Sequence, residues 1–118
     1  MRTLITARLH IPGLHYWPGA HDARDYLRTP HRHLFGIAAT LEVGHDERDV
    51  EWHDLAEAMT AHVHDMADGH RDGLHDFGPR SCETLARTLM ARLTDDGHNV
   101  AAVEWDEDGE FTARIQQA

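Results

Sequence analysis

Twelve of the 118 residues are histidines, the side chain that most often ligates metals and carries protons near neutral pH. Two of them, His31 and His33, stand one residue apart in "TPHRHLFG", at the head of an apolar run. On a strand, side chains at i and i+2 project to the same side, so this pair can share one ion. A third ligand is expected from a neighbouring strand or its exit. His15 in "GLHYWPG" lies just past the first strand, where a hairpin partner of residue 31 falls; His10 and His21 are the weaker candidates. Three neutral imidazoles with an open fourth position are the pattern of a catalytic zinc site, where the ion polarises a substrate oxygen or lowers the pKa of bound water. HxH alone is a short motif, and its other reading is a pair of solvated strand residues.

The hydrophobic period says which elements would position these residues. "TLITARLHI", residues 3 to 11, alternates with Ile5, Ala7, Leu9 and Ile11 on one side, which predicts a half-buried strand closed by Pro12 and Gly13. Residues 32 to 44 alternate with His33, Phe35, Ile37, Ala39, Leu41 and Val43 on one face, predicting a second long strand. From 52 to 66, Trp52, Leu55, Met59, Val63 and Met66 recur at steps of three or four, the stripe of an amphipathic helix. "SCETLARTLMARLTDDG" predicts a second helix, with Ser81 as N-cap and a stop at Gly97. The tail holds two short extended runs around Asp108-Gly109, a dipeptide suited to a tight hairpin turn. The order ββααββ predicts an α+β domain: a four-stranded antiparallel sheet with both helices on one face.

Length and charge narrow the function. A chain of 118 residues makes one globular domain, residues 1–118, able to bury a real core. Eleven Lys and Arg against 21 Asp and Glu give a formal charge of -10, which repels phosphate backbones and argues against a nucleic-acid or anionic-membrane surface. No apolar stretch approaches the roughly 20 residues that span a bilayer, and no signal-peptide core opens the sequence, so a cytoplasmic protein is expected. A single cysteine, Cys82, cannot form an internal disulfide and is expected to be a packed small residue. The partner expected is a small molecule or a protein.

In "GLHYW", "PHRH", "DVEWHDLAEAM", "SCETLA" and "VEWDED", taken in order, the sequence resembles the 6-pyruvoyl tetrahydropterin synthase and 6-carboxytetrahydropterin synthase family. These stretches match that family's "FxAAH", its "HGH" at the start of the second strand, its "DF-x-x-LK" and "T-x-EN-x-A" helix starts, and its C-terminal "V-x-V-x-ET". The resemblance covers nearly the whole chain. It implies the tunnelling fold, one zinc on His15, His31 and His33, and a ligand with a pterin or purine-like ring. It also implies a homo-oligomer, a hexamer of two stacked trimers whose sheets close into a barrel with sites at the seams. Glu107 stands for the family's ring-anchoring glutamate, with Asp106 or Asp108 taking its place if the register shifts, and Glu83 matches a second glutamate. A carboxylate can accept two hydrogen bonds from adjacent N–H groups of a 2-amino-4-oxo ring edge.

The departures bear on activity. Four residues before the HxH pair, where the family has its catalytic cysteine, this chain has Leu27, which has no proton to move. The family's "DH" relay falls on Ala67 and Asp68, with "DGH" offering Asp68 and His70 as the catalytic pair; Tyr26, Asp25 and Asp22 are further polar groups nearby. Three functions follow as alternatives. One is a zinc-dependent lyase or synthase acting on a dihydropterin triphosphate or related compound. Another is a zinc-containing protein that binds a pterin or purine nucleotide without turnover, and the third is a histidine-rich structural oligomer.

Overall fold

A computed structural model describes residues 1–118. Two 13-residue strands form its spine: β1, Thr3–His15, and β2, His31–Val43, pair antiparallel from Thr3 opposite Val43 to His15 opposite His31. A 3-10 helix, Asp22–Arg28, fills the connection between them. β1 is longer than its sequence suggests, because it runs through Pro12 and Gly13 instead of closing there. Its outer edge has no partner before Gly13, so the missing N–H of Pro12 costs no bond on that side. His15 is therefore the last residue of the strand.

The helices are α1, Trp52–Met66, and α2, Cys82–Asp95. Ser81 caps α2 by accepting from the Thr84 amide, and Glu51 caps α1 by accepting from Asp54. Both helices lie on one face of the sheet and share a single core with β2. Phe35, Ile37 and Leu41 of β2 pack with Met59 and Val63 of α1, and with Leu85, Leu89 and Leu93 of α2. Burying each such side chain contributes about 1.5–3 kcal/mol. Trp52, counted in the apolar stripe of α1, is instead exposed at its first turn, before the helix meets the sheet.

The expected sheet of four antiparallel strands has to be corrected to six strands, one pairing of which is parallel. Between the helices, "GHRDGLHD" makes a hairpin of β3, Gly69–Arg71, and β4, Leu74–Asp76. Its turn residues Asp72 and Gly73 both have positive φ, the conformation a two-residue hairpin turn requires. β4 adds to β1 in parallel, with Gly13 opposite His75 and Leu14 opposite Asp76. Strands of three residues are too short to show an alternating pattern, so only the Asp-Gly turn marks them in sequence. The tail forms β5, Val100–Glu107, and β6, Phe111–Gln116, joined at Asp108 and Gly109, again both at positive φ. The spatial order is β3-β4-β1-β2-β5-β6. No helix is long and apolar enough to cross a membrane.

Candidate metal centre

The β1–β2 register brings the end of one strand to the start of the next, and with it three imidazoles. His15 lies opposite His31, and His33 lies opposite Gly13, two residues along the same face. One ring nitrogen from each of His15, His31 and His33 lies within 4.8 Å of the others. His10 is placed elsewhere, on the rim of a groove beside α1, and His21 packs edge-on against Trp17.

Each ring is held from behind. His15 Nδ1 donates to the Arg80 carbonyl at 3.2 Å, His31 Nδ1 to the Thr29 carbonyl at 3.0 Å, and His33 Nδ1 to the Asp108 carboxylate at 2.7 Å. Carbonyl and carboxylate oxygens only accept, so all three rings carry a proton on Nδ1, and the neutral ring that binds a metal then offers its Nε2 lone pair. A backbone carbonyl or carboxylate behind each imidazole is the usual outer shell of metal-bound histidines. Asp108 is locked in turn by the Leu34 amide at 2.7 Å, and these hydrogen bonds, His33 first, hold its carboxyl below the usual carboxylate range. Burial keeps His15 below the ordinary histidine range, against the opposing pull of Glu107 and the Arg80 carbonyl.

Glu107, at the end of β5, stands over the cluster. Its carboxylate oxygens are 2.9 Å from His33 Nε2 and 3.7 Å from His15 Nε2, yet His33 Nε2 is buried with no aligned hydrogen-bond partner. Converging lone pairs beside a carboxylate, one of them orphaned, form an environment that a cation completes. The residues present therefore fit a zinc ion.

Beside the cluster is a cavity of about 410 Å³, lined by His15 and His31 from the strands, Trp17 and Leu27 from the connection, and Glu83 and Glu107. Leu27 thus faces the cavity from the position where the resembling family has its cysteine. Cys82 is buried in the core, as its sequence position suggested, and it also reaches this wall, with Sγ 3.6 Å from a Glu107 oxygen. Burial and the Glu107 carboxylate push its thiol far above the ordinary range, so it stays protonated. It can donate a proton to a hydrogen bond, but it cannot act as a thiolate.

Asp68 and His70 do not line this cavity. Asp68 is 3.2 Å from the guanidinium of Arg80, the residue whose carbonyl holds His15, so it stands one side chain behind the cluster. His70 lies in the β3–β4 hairpin, where it meets His75 of the same hairpin and His64 of α1. Asp106 is turned to the other side, onto the Gly36 and Gly109 amides. Tyr26 and Asp25 are exposed on the 3-10 helix, as is Asp22, which pairs with Arg28. The supporting roles of Arg80 and Asp108 had no sequence signal beyond Asp108's place in the turn next to Glu107.

No protein-family description matches the sequence, and no curated protein does. Solved structures do match. An uncharacterized protein from Wolinella succinogenes superimposes with a TM-score of 0.68 at 13% identity, over 100% of this chain and 99% of that one. The 6-pyruvoyl tetrahydropterin synthase of Caenorhabditis elegans gives 0.66 at 12% identity, over 100% of this chain and 97% of that one. The chain has the fold of that synthase. At such identities the likeness establishes architecture and leaves activity to the site itself.

Proposed function

We propose that this protein is a zinc-dependent lyase or synthase-like enzyme acting on a dihydropterin triphosphate or a related pterin or purine compound. The observation that carries the reading is the convergence of three Nδ1-anchored imidazoles beside a cavity walled by Glu107 and Glu83. His15, His31 and His33 would hold the ion, which when bound supplies Lewis acidity toward the hydroxyls of the ligand's side chain. Glu107, with Glu83 at the first turn of α2, would accept N–H groups from the ring edge. Cys82 would keep one Glu107 oxygen oriented. Asp68 is the proton carrier in this reading, acting at a seam between subunits, because it has no place in the cavity of its own chain.

The second reading, a zinc-containing binder without turnover, is favoured by Leu27 at the cavity wall in place of a group that could move a proton. One experiment separates the two. Zinc-loaded protein is incubated with dihydroneopterin triphosphate, and binding, side-chain loss and retro-aldol cleavage are followed together. An enzyme should lose turnover in Asp68→Ala while keeping its metal and its ligand affinity, since that group acts only on the proton in flight. Tight binding without product, weakened by Glu107→Gln, would establish the binder. Neither binding nor product would remove pterin chemistry of this kind from consideration.

A further inference from the structure

A second group of three histidines lies outside the cavity, on three different elements. His64 is in the last turn of α1, while His70 and His75 face each other across the β3–β4 hairpin. One ring nitrogen of each is within 4.8 Å of the others, and the ring centroids are 4.7 to 5.3 Å apart. Their one polar contact is with each other, His64 Nδ1 to His75 Nε2 at 3.1 Å; none pairs with a carboxylate or a carbonyl. In a chain with 21 acidic residues, three imidazoles meet here with no acid between them, at a place open to solvent from which an ion can enter.

We propose that His64, His70 and His75 form a second transition-metal site, which clasps the β3–β4 hairpin to α1. The class of ion follows from the donors. Imidazole alone suits zinc, cobalt, nickel or copper and offers nothing to calcium or magnesium, which take oxygen ligands. The site is preformed on its inner side: His75 lies stacked on the buried ring of Phe77, 6.1 Å between centroids and 11° between planes, and β4 is fixed by its pairing with β1. On its outer side it opens into the groove that holds His10, His53 and Glu57, so a water molecule or a further ligand can complete the coordination.

The clasp also bears on the first centre. The chain leaving β4 runs through Phe77 to Arg80; Gly78 accepts from the Tyr16 amide at 3.0 Å, and the Arg80 carbonyl holds His15. This wall is held by the buried Phe77 ring and by the Phe77 amide on the Leu14 carbonyl, and a metal bound across the hairpin and α1 would add a further tie. His70 is then a ligand and not a proton carrier.

The test is a metal count on metal-free protein dialysed against buffered zinc, with hydrogen exchange of residues 69–76 as a second readout. Wild type should take up two zinc ions per chain. His64→Ala/His75→Ala should take up one, and the slowing of exchange in the hairpin on zinc addition should disappear with the other. His31→Ala/His33→Ala should also bind one ion but keep the slowing. His53→Ala, on the rim of the same groove, should keep both ions. His70→Asn, a single change at an exposed hairpin position, should lose the same ion as the double variant and serves if that variant does not fold. Two ions retained in the His64/His75 variant and in His70→Asn, or a wild-type count of one that only His31 and His33 control, would overturn the second site. A count unchanged in His31→Ala/His33→Ala but lowered in His64→Ala/His75→Ala would overturn the first centre and leave the second standing.

Discussion

The zinc reading depends less on which histidines meet than on what stands behind them. His33 has the Asp108 carboxylate at its Nδ1, and that carboxylate also binds the Leu34 amide, so the ring is fixed from the hairpin turn. Asp108→Ala should leave the zinc stoichiometry unchanged but lower affinity by about 10- to 100-fold, as loss of an outer-shell partner does; a competition titration with a chromophoric chelator reads this. His31→Ala/His33→Ala should abolish stoichiometric binding at the same centre. Cys82 gives a pH prediction. Its raised pKa means that the unfolded chain loses the thiol proton first as pH rises, so native stability falls above the ordinary thiol range of about 8.5. In the native protein at pH 8, alkylation by iodoacetamide should be slower than in denaturant by at least about tenfold, the change in thiolate fraction for one pKa unit.

Among the elements, β1 packs closely against both of its neighbours at Gly13. A Cβ on Gly13 would come within 2.9 Å of the Phe77 ring, 3.0 Å of the Phe35 ring and 3.1 Å of the His75 carbonyl. Phe35 and Phe77 are fully buried and pack edge to face, so neither ring can simply swing away. Gly13→Ala should destabilise the protein by about 1–3 kcal/mol, the range for overpacked sites, and lower zinc affinity through the displaced β1–β2 register. Gly69→Ala, with nothing within 4 Å of its added Cβ, should be close to neutral. Urea unfolding of the two variants measures the difference.

As a whole the sheet has two open ends, β3 and β6, and Phe111 on β6 is largely exposed. Unpaired strand edges are templates for further pairing, and closure with other copies removes them. The protein should therefore run as a homo-oligomer, and the resemblance to the tetrahydropterin synthases makes a hexamer of two trimers the expected form. Multi-angle light scattering at micromolar concentration should give about six times the mass of one chain; a monomer would remove the seam at which Asp68 is proposed to act. The charge of -10 gives no basis for nucleic acid as the partner instead.

Local periodicity was enough for the long elements. Alternation over Ile5 to Ile11 and His33 to Val43, the three-and-four stripe of α1, the Ser81 cap and the Asp108-Gly109 turn each state a backbone conformation within a few residues of sequence. The HxH pair was legible for the same reason, because strand geometry alone puts His31 and His33 on one side. Other features depended on contacts between segments far apart in the chain. Pro12 and Gly13 read as a strand end until β2 and β4 are seen to pair beyond them, and the β3–β4 hairpin is too short to carry a period. Asp108 behind His33 is 75 residues away along the chain, Cys82 meets Glu107 across 25, and His70 parted from Asp68 because Asp68, just before β3, turns to Arg80 while His70 stands opposite His75 in the hairpin. Spacing along a chain specifies which side of its own element a residue faces; which residues then stand opposite it is decided by register and packing, which only the folded molecule contains.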